Sequence, residues 1–331
     1  MGFKGLQRLQ EPKTGVVQRT PASGRPCEEY AAAGLAGLVW PRMVFRRSWR
    51  KLTIFLAMIR FEHTVFALPF AYIAALLTER RLPAGDDLFW VTIAMVGART
   101  AAMSLNRLID QQIDAKNPRT ADRALPRGLI SRTEVWVYIS LSFTLLAVAA
   151  WQLSPLALRL FPLAVLILWS YSYTKRFTWA CHFYLGLALG LAPVGAWVAI
   201  TNRFALAPVL LGSGVLFWVA GFDIVYACSD YDFDRQEGIF SLPARFGIPA
   251  ALWVARACHL VAPIFFALTG VVLGLGPLYL AGVAFAVAIL FYEHRLVRPE
   301  DLSRIGVAFF NMNGILSIGM FVFTLADILV S

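Results

Sequence analysis

LAPVLLGSGVLFWVAGFDIVYACS, residues 206–229, is the stretch that decides the fold, and the acidic run Asp230-Tyr-Asp-Phe-Asp234 follows it directly. Asp223 is the only formally charged residue in the stretch. A helix that crosses a bilayer needs about 20 consecutive apolar residues. The stretch therefore predicts a membrane-spanning helix, and the acidic run lies where this helix leaves the membrane.

Similar apolar runs recur along the whole chain. Hydrophobic residues make up 59% of the sequence and charged residues 15%, and the mean hydropathy is +0.65. Soluble domains are about 45–50% apolar and about 25% charged. The predicted spans are 53–77, 88–109, 134–151, 156–173, 181–200, 206–229, 249–270, 272–292 and 305–330. We expect an all-α polytopic membrane protein, with about nine transmembrane helices in a bundle around a central cavity.

The net charge of +10 fits a membrane topology. In a soluble protein such a charge suggests nucleic-acid binding, but here it flanks apolar spans, so we expect the lipid bilayer as partner and no nucleic acid. With an inside N-terminus, most Lys and Arg residues fall on inner loops, as the positive-inside rule requires. The predicted outer side holds Arg80, Arg81, Arg159 and Arg203. We expect a multi-pass protein of the inner (plasma) membrane.

Residues 1–42 differ from the rest of the chain. They are rich in Gly, Pro, Arg and Glu, and they contain no apolar run long enough to span a bilayer. Two interpretations stay open: a disordered extension, or an upstream start codon assigned in error, with the functional chain beginning near Met43. In both cases residues 43–331 form the membrane domain.

The first acidic motif, Asn106-Arg-Leu-Ile-Asp110-Gln-Gln-Ile-Asp114, closes the second predicted span. Its polar residues are spaced i, i+4 and i+8. Successive members lie about 40° apart around a helix, so all three side chains share one face. The motif is followed by a long, charged inner loop, residues 110–133. Chemistry is therefore expected on the cytoplasmic side.

The second acidic motif repeats this spacing with Tyr226, Asp230 and Asp234, and Asp232 lies off the shared face. Acidic pairs at i, i+4 near a helix C-terminus are unfavourable, because like charges repel and the dipole end is negative. Two such motifs therefore indicate a function rather than ordinary helix ends. Facing carboxylates suit Mg²⁺, which takes one or two carboxylates and completes its shell with water and phosphate oxygens. The pair predicts a magnesium-bound diphosphate.

In their sequence context the two motifs resemble the signatures of the UbiA prenyltransferase family. The run 106–128 is similar to the first signature and the run 226–247 to the second. Tyr171-Ser-Tyr-Thr-Lys-Arg-Phe-Thr178 is similar to the basic loop between the family's fourth and fifth helices. The resemblance covers about residues 50–330. It implies that residues 43–331 form a membrane prenyltransferase domain, which uses Mg²⁺ and transfers a chain from polyprenyl diphosphate to an aromatic acid acceptor.

The resemblance also implies a role for each motif residue. The catalytic, magnesium-binding residues would be Asp110, Asp114, Asp230 and Asp234, with Asn106 as a further metal ligand and substrate contact. The residues implied in binding diphosphate oxygens or an acceptor carboxylate are Arg119, Arg123, Lys175 and Arg176. Arginine suits this work because its guanidinium binds oxyanions bidentately. Tyr226, Phe66 and Trp218 are candidates for stabilising the allylic cation through their ring faces.

Two charged residues lie deeper in predicted spans. Arg99 precedes Asn106 by seven residues, and Asp223 precedes Asp230 by seven. Seven residues are about two helical turns, so each lies below its motif on the same face. Intramembrane charges are functional candidates. We expect both to contact substrate, either as a pair that forms the cavity floor or with Arg99 bound to the acceptor carboxylate.

Two acceptors and one other class of protein stay open. The run Asn117-Pro-Arg-Thr120 is most similar to family members that prenylate 4-hydroxybenzoate in ubiquinone biosynthesis. The runs 61–69 and 230–235 resemble a sister branch, which is linked to an alternative menaquinone route and a bicyclic naphthoate acceptor. A membrane transporter with an intramembrane charge relay is the alternative of another class. Acidic motifs at helix ends on one side favour catalysis.

Overall fold

The computed structural model describes residues 51–59 and 67–331. Within these residues every regular element is a helix. The predicted N-terminal extension, residues 1–42, and the start near Met43 lie outside the described residues, as does most of the run 61–69. The all-α prediction is confirmed for the part of the chain that is described.

The helices follow one another with short connections and one longer loop, residues 117–131. They are α1 (51–58), α2 (Leu68–Leu77), α3 (Gly85–Ile109), α4 (Gln111–Lys116), α5 (Arg132–Leu153), α6 (Pro155–Thr174), α7 (Cys181–Thr201), α8 (Leu206–Ala227), α9 (Tyr231–Glu237), α10 (Leu242–Phe246), α11 (Ile248–Leu273), α12 (Pro277–Leu296) and α13 (Asn313–Val330). Cys228–Asp230 form a 3₁₀ turn between α8 and α9. Val307–Met312 form a π-helical stretch that runs into α13.

Eight of the described helical segments are long and apolar enough to cross a membrane. They correspond to the second to ninth predicted spans. The predicted first span, 53–77, corresponds to α1 and the short apolar helix α2, which flank residues 60–66. The polytopic membrane fold is therefore confirmed, with a number of spans close to the predicted nine.

Local signals in the sequence determine where several helices begin and end. α5 begins with a capping box, in which Ser131 and Glu134 each accept the other's backbone N–H. α11 ends at Gly274, which has a φ of 58°, and α12 begins at Pro277. The boundary between these two helices therefore lies a few residues after the one predicted near residue 271. The reason is that a left-handed glycine ends one helix and a proline begins the next.

α8 lies at the centre of the bundle, and a larger share of it is buried than of any other described membrane-spanning helix. It approaches α7 closely at Gly190 and Gly212, where a Cβ atom on Gly190 would lie 2.5 Å from the Gly212 carbonyl oxygen. On another face, the ring of Phe266 packs against Gly214. Small residues allow membrane helices to pack at such short distances. The second acidic motif therefore extends from the most firmly packed helix.

Candidate active site

In each acidic motif the regular α-helix is interrupted at the central aspartate. Asp110 separates α3 from α4 with φ −90° and ψ 4°, and Asp230 precedes α9 with φ −106° and ψ 9°. The sequence predicted one continuous helical face for each motif, so this is a correction. In the first motif the Asp110 N–H still bonds the Asn106 carbonyl at 2.9 Å, and the Asp114 N–H bonds the Asp110 carbonyl at 2.8 Å. The i, i+4 spacing therefore persists across the break.

Asp110 is the most enclosed of the motif carboxylates, with 1% of its surface exposed. Its Oδ2 atom lies 2.7 Å from Lys175 Nζ and accepts a hydrogen bond of 2.8 Å from Asn106 Nδ2. Its Oδ1 atom lies 3.2 Å from Arg176 Nη2. Within the described residues, no donor has hydrogen-bonding geometry to Oδ1. Lys175 and Arg176 belong to the turn after α6, which we call the basic turn. The basic turn thus contacts the first motif at Asp110.

Asp114 is bound by the loop that follows the first motif. Arg123 Nη1 lies 2.7 Å from both carboxylate oxygens. Thr120 Oγ1 donates to the Asp114 carbonyl oxygen at 3.0 Å, which ties the same loop to α4. Because the carboxylate is buried, a charged partner is needed to offset its lost hydration. Arg123 supplies that partner.

Asp230 is bound by residues of the first motif's loop. Arg119 makes a bidentate contact, with Nε donating to Oδ1 at 2.8 Å and Nη2 donating to Oδ2. Asn117 Nδ2 donates to Oδ1 at 3.0 Å, and Arg119 Nη1 donates to the Tyr226 hydroxyl at 2.6 Å. Burial disfavours the charged guanidinium, but the bonds to Asp230 outweigh it and raise the pKa of Arg119. The loop of one motif therefore holds the carboxylate of the other.

Asp234 faces the interior, whereas Asp232 is exposed. The Oδ2 atom of Asp234 accepts a hydrogen bond of 2.7 Å from Ser241 Oγ. This arrangement follows from the helical spacing, because Asp230 and Asp234 share a face and Asp232 lies on the opposite one. Asp232 is therefore a natural control for variants of the motif.

Further contacts join the three segments that the sequence marked out separately. Lys116 Nζ lies 2.5 Å from Glu237 Oε2, which links α4 to α9. The Phe240 N–H donates to the Lys175 carbonyl at 2.8 Å, which links the chain after α9 to the basic turn. The first motif, the basic turn and the second motif thus form one charged cluster at one end of the bundle.

An apolar cavity of about 250 Å³ lies among α3, α5, α6 and α7. Arg99 and Tyr171 contribute polar groups to its walls, and the Tyr171 hydroxyl donates to the Ala102 carbonyl at 3.1 Å. Ala102 and Tyr171 lie one helical turn before Asn106 and Lys175, respectively. The cavity therefore begins about one turn below the charged cluster.

Asp223 has a neighbour that the sequence did not indicate. Its Oδ2 atom lies 2.7 Å from His182 Nδ1, and His182 Nε2 accepts the Leu242 N–H at 3.2 Å. Because Nε2 accepts, Nδ1 carries the proton and donates to Asp223. Among the described residues, Arg99 lines the cavity and Asp223 does not. The Asp223 carboxylate is thus bound by His182 of α7, and the cavity floor shared by Arg99 and Asp223 stays a prediction.

The oxygen donors of the cluster fit a hard divalent cation. Carboxylates are ligands that Mg²⁺ prefers, and Asp110 Oδ1 is a buried acceptor without a hydrogen-bond donor in the described structure. Within residues 51–59 and 67–331, no three acidic, His or Cys groups converge on one point. Mg²⁺ commonly uses one or two carboxylates and fills its remaining positions with water and substrate phosphates. The motif residues are thus suited to ions that arrive with a diphosphate.

Four polar residues that contact the cluster were missed as site residues: Asn117, Ser172, His182 and Ser241. Asn117 lies inside the quoted run 106–128, but the sequence analysis used it only as part of the run Asn117-Pro-Arg-Thr120. Ser241 accepts the Ala244 N–H as the N-cap of α10, and a serine one residue before Leu-Pro is a recognisable helix start. His182 carried the clearest signal, because an ionisable side chain within an apolar span is a functional candidate.

The fold and this cluster define an integral membrane protein with buried carboxylates and basic side chains gathered at one end of its helical bundle. The model of the UbiA prenyltransferase family matches residues 67–315. The chain therefore belongs to the UbiA prenyltransferase family and is a membrane-embedded prenyltransferase. The family and the named relatives below are transferases, so the transporter alternative is not supported.

Several known proteins are similar to this chain. A 4-hydroxybenzoate octaprenyltransferase of Methylobacillus flagellatus is 32% identical over 232 residues, which cover 70% of this chain and 78% of the relative. The enzyme of the same name from Aliivibrio salmonicida is 30% identical over 250 residues, 76% of this chain and 86% of the relative. The apo structure of a UbiA homologue from Aeropyrum pernix K1 has a TM-score of 0.73 and 33% identity, and covers 80% of this chain and 98% of that chain.

A more distant solved structure shares the fold. It is a UbiA homologue from Archaeoglobus fulgidus bound to GPP and Mg²⁺, with a TM-score of 0.66 and 20% identity, which covers 83% of this chain and 99% of that chain. The same homologue has also been solved bound to Cd²⁺. That homologue therefore binds divalent metal ions. The roles of individual residues in the present chain stay predictions.

Proposed function

We propose that this enzyme transfers a polyprenyl chain from polyprenyl diphosphate to 4-hydroxybenzoate in respiratory quinone biosynthesis. The observation that carries the proposal is the junction of the two motifs, in which Arg119 from the first motif's loop holds Asp230 of the second. A substrate with both metal-binding and cation-binding oxygens fits such a junction. The names of the relatives from Methylobacillus flagellatus and Aliivibrio salmonicida support 4-hydroxybenzoate as the acceptor.

The charged cluster is suited to an exchange of partners. Its pairs are Asp110 with Lys175 and Arg176, Asp114 with Arg123, and Asp230 with Arg119. A diphosphate that arrives with divalent cations carries both signs of charge. Carboxylates can then turn to the metal and the basic residues to the phosphate oxygens, and no buried charge is left without a partner. A diphosphate without divalent cations would pair with the basic side chains, and the carboxylates would lose their partners and repel one another.

Magnesium, held by the four motif aspartates and Asn106, would supply charge neutralisation to the diphosphate leaving group. The chain's own cations add to it: Arg119, Arg123, Lys175 and Arg176 donate hydrogen bonds to the same group. Negative charge builds on the diphosphate as the allylic C–O bond breaks. Hydrogen bonds from fixed donors therefore strengthen as the bond breaks, which lowers the barrier.

The apolar cavity below the cluster is suited to the start of the prenyl chain. Its apolar lining excludes water, which would otherwise attack the allylic cation and convert it to an alcohol. Arg99 lies in this wall, where a guanidinium strongly favours a counter-anion. We infer that Arg99 binds the carboxylate of the acceptor and that the face of Tyr226 stabilises the cationic carbon. The ring carbon beside the acceptor hydroxyl then takes the chain and loses its proton.

The active site would face the cytoplasm in the inner (plasma) membrane, with the N-terminus inside. The loop 110–133, which follows the first motif, carries more Lys and Arg residues than any other loop between the predicted spans, and the loop after the second motif carries Arg235 and Arg245. Basic loops stay on the cytoplasmic side during insertion. Both water-soluble acceptor and diphosphate head group are accessible from that side, and the prenyl tail can enter from the bilayer.

An assay of membranes that contain the protein tests the proposal. Labelled polyprenyl diphosphate is supplied with 4-hydroxybenzoate or a bicyclic naphthoate, with Mg²⁺ or with EDTA. We expect a prenylated product with 4-hydroxybenzoate and Mg²⁺, and none with EDTA. Product with the naphthoate alone would assign the acceptor to the menaquinone-linked branch.

Variants of the two central aspartates sharpen the same assay. Asp110→Ala and Asp230→Ala should lower the rate by about 100-fold or more, since each removes charge that acts on the transition state. Asp232→Ala is the matched control and should stay within about 2-fold of wild type, because the side chain is exposed and off the shared face. Undiminished transfer by the Asp110 and Asp230 variants would refute the assignment of the site.

A further inference from the structure

The chain after α9 is fastened to three different elements. We call residues 239–242 the bridging segment. The Ile239 N–H donates to the Asp234 carbonyl at 2.8 Å, the Phe240 N–H to the Lys175 carbonyl at 2.8 Å, and the Leu242 N–H to His182 Nε2 at 3.2 Å. These bonds tie the segment to α9, to the basic turn and to α7, so its position is fixed independently of any one of them.

The bridging segment lies between the functional groups of the two motifs. On one side, Ser241 Oγ donates to Asp234 Oδ2 at 2.7 Å. On the other side, the segment bonds the backbone of Lys175, whose Nζ lies 2.7 Å from Asp110 Oδ2. A shift of the segment would therefore move the Asp234 carboxylate of the second motif together with Lys175, the cation that pairs with Asp110 of the first motif.

His182 is the side chain of α7 that holds this segment. It is 3% exposed, and both ring nitrogens are engaged, Nδ1 with Asp223 and Nε2 with the Leu242 N–H. The bond to Asp223 fixes the tautomer, so that Nε2 is left as an acceptor. A histidine that served only to fill the core would not need an aspartate to fix this tautomer, nor would it contact the residue next to Ser241.

We propose that His182, oriented by Asp223, is a positioning residue for magnesium-dependent binding of the diphosphate. It acts through Leu242 and Ser241, which set the orientation of the Asp234 carboxylate. The inference rests on the proposed function of Asp234 as a magnesium-binding residue. Ser241 bonds the Asp234 carboxylate directly, and removal of a group bonded to a metal ligand typically changes metal affinity by about 10–100-fold.

Two substitutions separate the two ring nitrogens. His182→Asn keeps a donor near the Nδ1 position but loses the acceptor for the Leu242 N–H, whereas His182→Gln keeps an acceptor near the Nε2 position. We expect His182→Asn to raise the half-saturating Mg²⁺ concentration about 10-fold. His182→Gln should retain most of the wild-type affinity. Equal shifts in both variants would contradict the role of Nε2.

Equilibrium binding provides a readout that does not depend on turnover. The full chain in detergent is titrated with Mg²⁺ in the presence of labelled geranyl diphosphate, and thermal unfolding is measured in parallel. The control is His259→Asn, a buried histidine of α11 that bonds the Trp218 carbonyl at 3.1 Å. It should lower the unfolding temperature and leave the half-saturating Mg²⁺ concentration unchanged. If His182→Asn behaves like this control, its role is structural and the proposal is wrong.

Ser241→Ala provides a second route if His182→Asn does not fold. It removes the hydrogen bond to Asp234 and should raise the half-saturating Mg²⁺ concentration in the same direction. In a foldable double variant the two shifts should be less than additive, because both act through Asp234. Additive shifts, or no shift in Ser241→Ala, would overturn the proposal. Wild-type protein without magnesium-dependent binding would overturn the proposed function as well, so the two failures are distinct.

Discussion

Arg119 connects the two motifs through one guanidinium. It binds both oxygens of Asp230 and the hydroxyl of Tyr226, and its guanidinium carbon lies 5.0 Å from the centre of the Tyr226 ring. Because its pKa is raised, it stays charged throughout the pH range of any assay. The fork geometry of arginine suits two carboxylate oxygens now and two phosphate oxygens once substrate is bound. We therefore expect it to contribute to both substrate affinity and rate.

Substitution of Arg119 tests this expectation. Arg119→Gln should raise the KM for polyprenyl diphosphate and lower kcat/KM by about 100-fold, through loss of a charged donor. The kcat/KM of Arg119→Lys should lie between that of Arg119→Gln and that of wild type, because lysine keeps the charge but not the bidentate geometry. Arg127→Gln, in the same loop and exposed, is the matched control and should be close to wild type. Identical kinetics for the Arg119 and Arg127 variants would refute the role of Arg119.

At the level of residues, the sequence predicted which charged residues belong to the candidate site but not how they pair in the structure. The i, i+4 spacing selects Asp110 and Asp230 because a helix repeats every 3.6 residues. The partners of these aspartates come from other helices and loops, and no local pattern encodes such contacts. His182 illustrates the difference, since its two partners lie on α8 and at the start of α10.

At the level of helices, apolar length predicted the membrane spans, because a bilayer imposes a nearly fixed length on each one. The breaks at Asp110 and Asp230 were not predictable in this way. An i, i+4 pattern is the same for a continuous helix and for two helices whose hydrogen bonds continue across a kink. Both central aspartates have ψ near zero, a backbone conformation frequent at active sites.

The contact between α7 and α8 depends on glycine. A Cβ atom on Gly190 would lie 2.5 Å from the Gly212 carbonyl oxygen, whereas one on Gly195 would meet nothing within 4 Å. Gly190→Ala should therefore destabilise the protein by about 1–3 kcal/mol, since two helix backbones must move apart. Gly195→Ala should be neutral or stabilising, because alanine is the better helix former by about 1 kcal/mol.

Thermal unfolding of the purified protein in detergent measures the difference. Gly190→Ala should unfold at a lower temperature than wild type, and Gly195→Ala at the same or a higher one. Equal unfolding temperatures for the two variants would mean that α7 and α8 do not rely on close backbone contact. The second motif, at the end of α8, would then owe its position to other contacts.

At the level of the whole molecule, the charged cluster lies at one end of the bundle and the apolar cavity lies below it. This polarity was predicted from the charge distribution along the sequence. α8 connects the two ends of the bundle, with Arg203 just before its first turn and the second motif beginning in its last turn. The position of the cavity among α3, α5, α6 and α7 was not predictable, because it depends on how these helices pack.

The two ends of α8 allow the orientation of the whole protein to be tested independently of the number of spans. Arg203 and Asp232 are both exposed, and they lie beyond the N-terminal and the C-terminal end of α8, respectively. We expect Asp232 to be cytoplasmic, because Lys and Arg in the loops on the same side resist translocation. In a variant without native cysteines, a membrane-impermeant maleimide should label Arg203→Cys in intact cells and Asp232→Cys only after permeabilisation. The reverse pattern would place the diphosphate site on the outside, where a cytoplasmic diphosphate could not reach it, and would contradict the proposed direction of substrate entry.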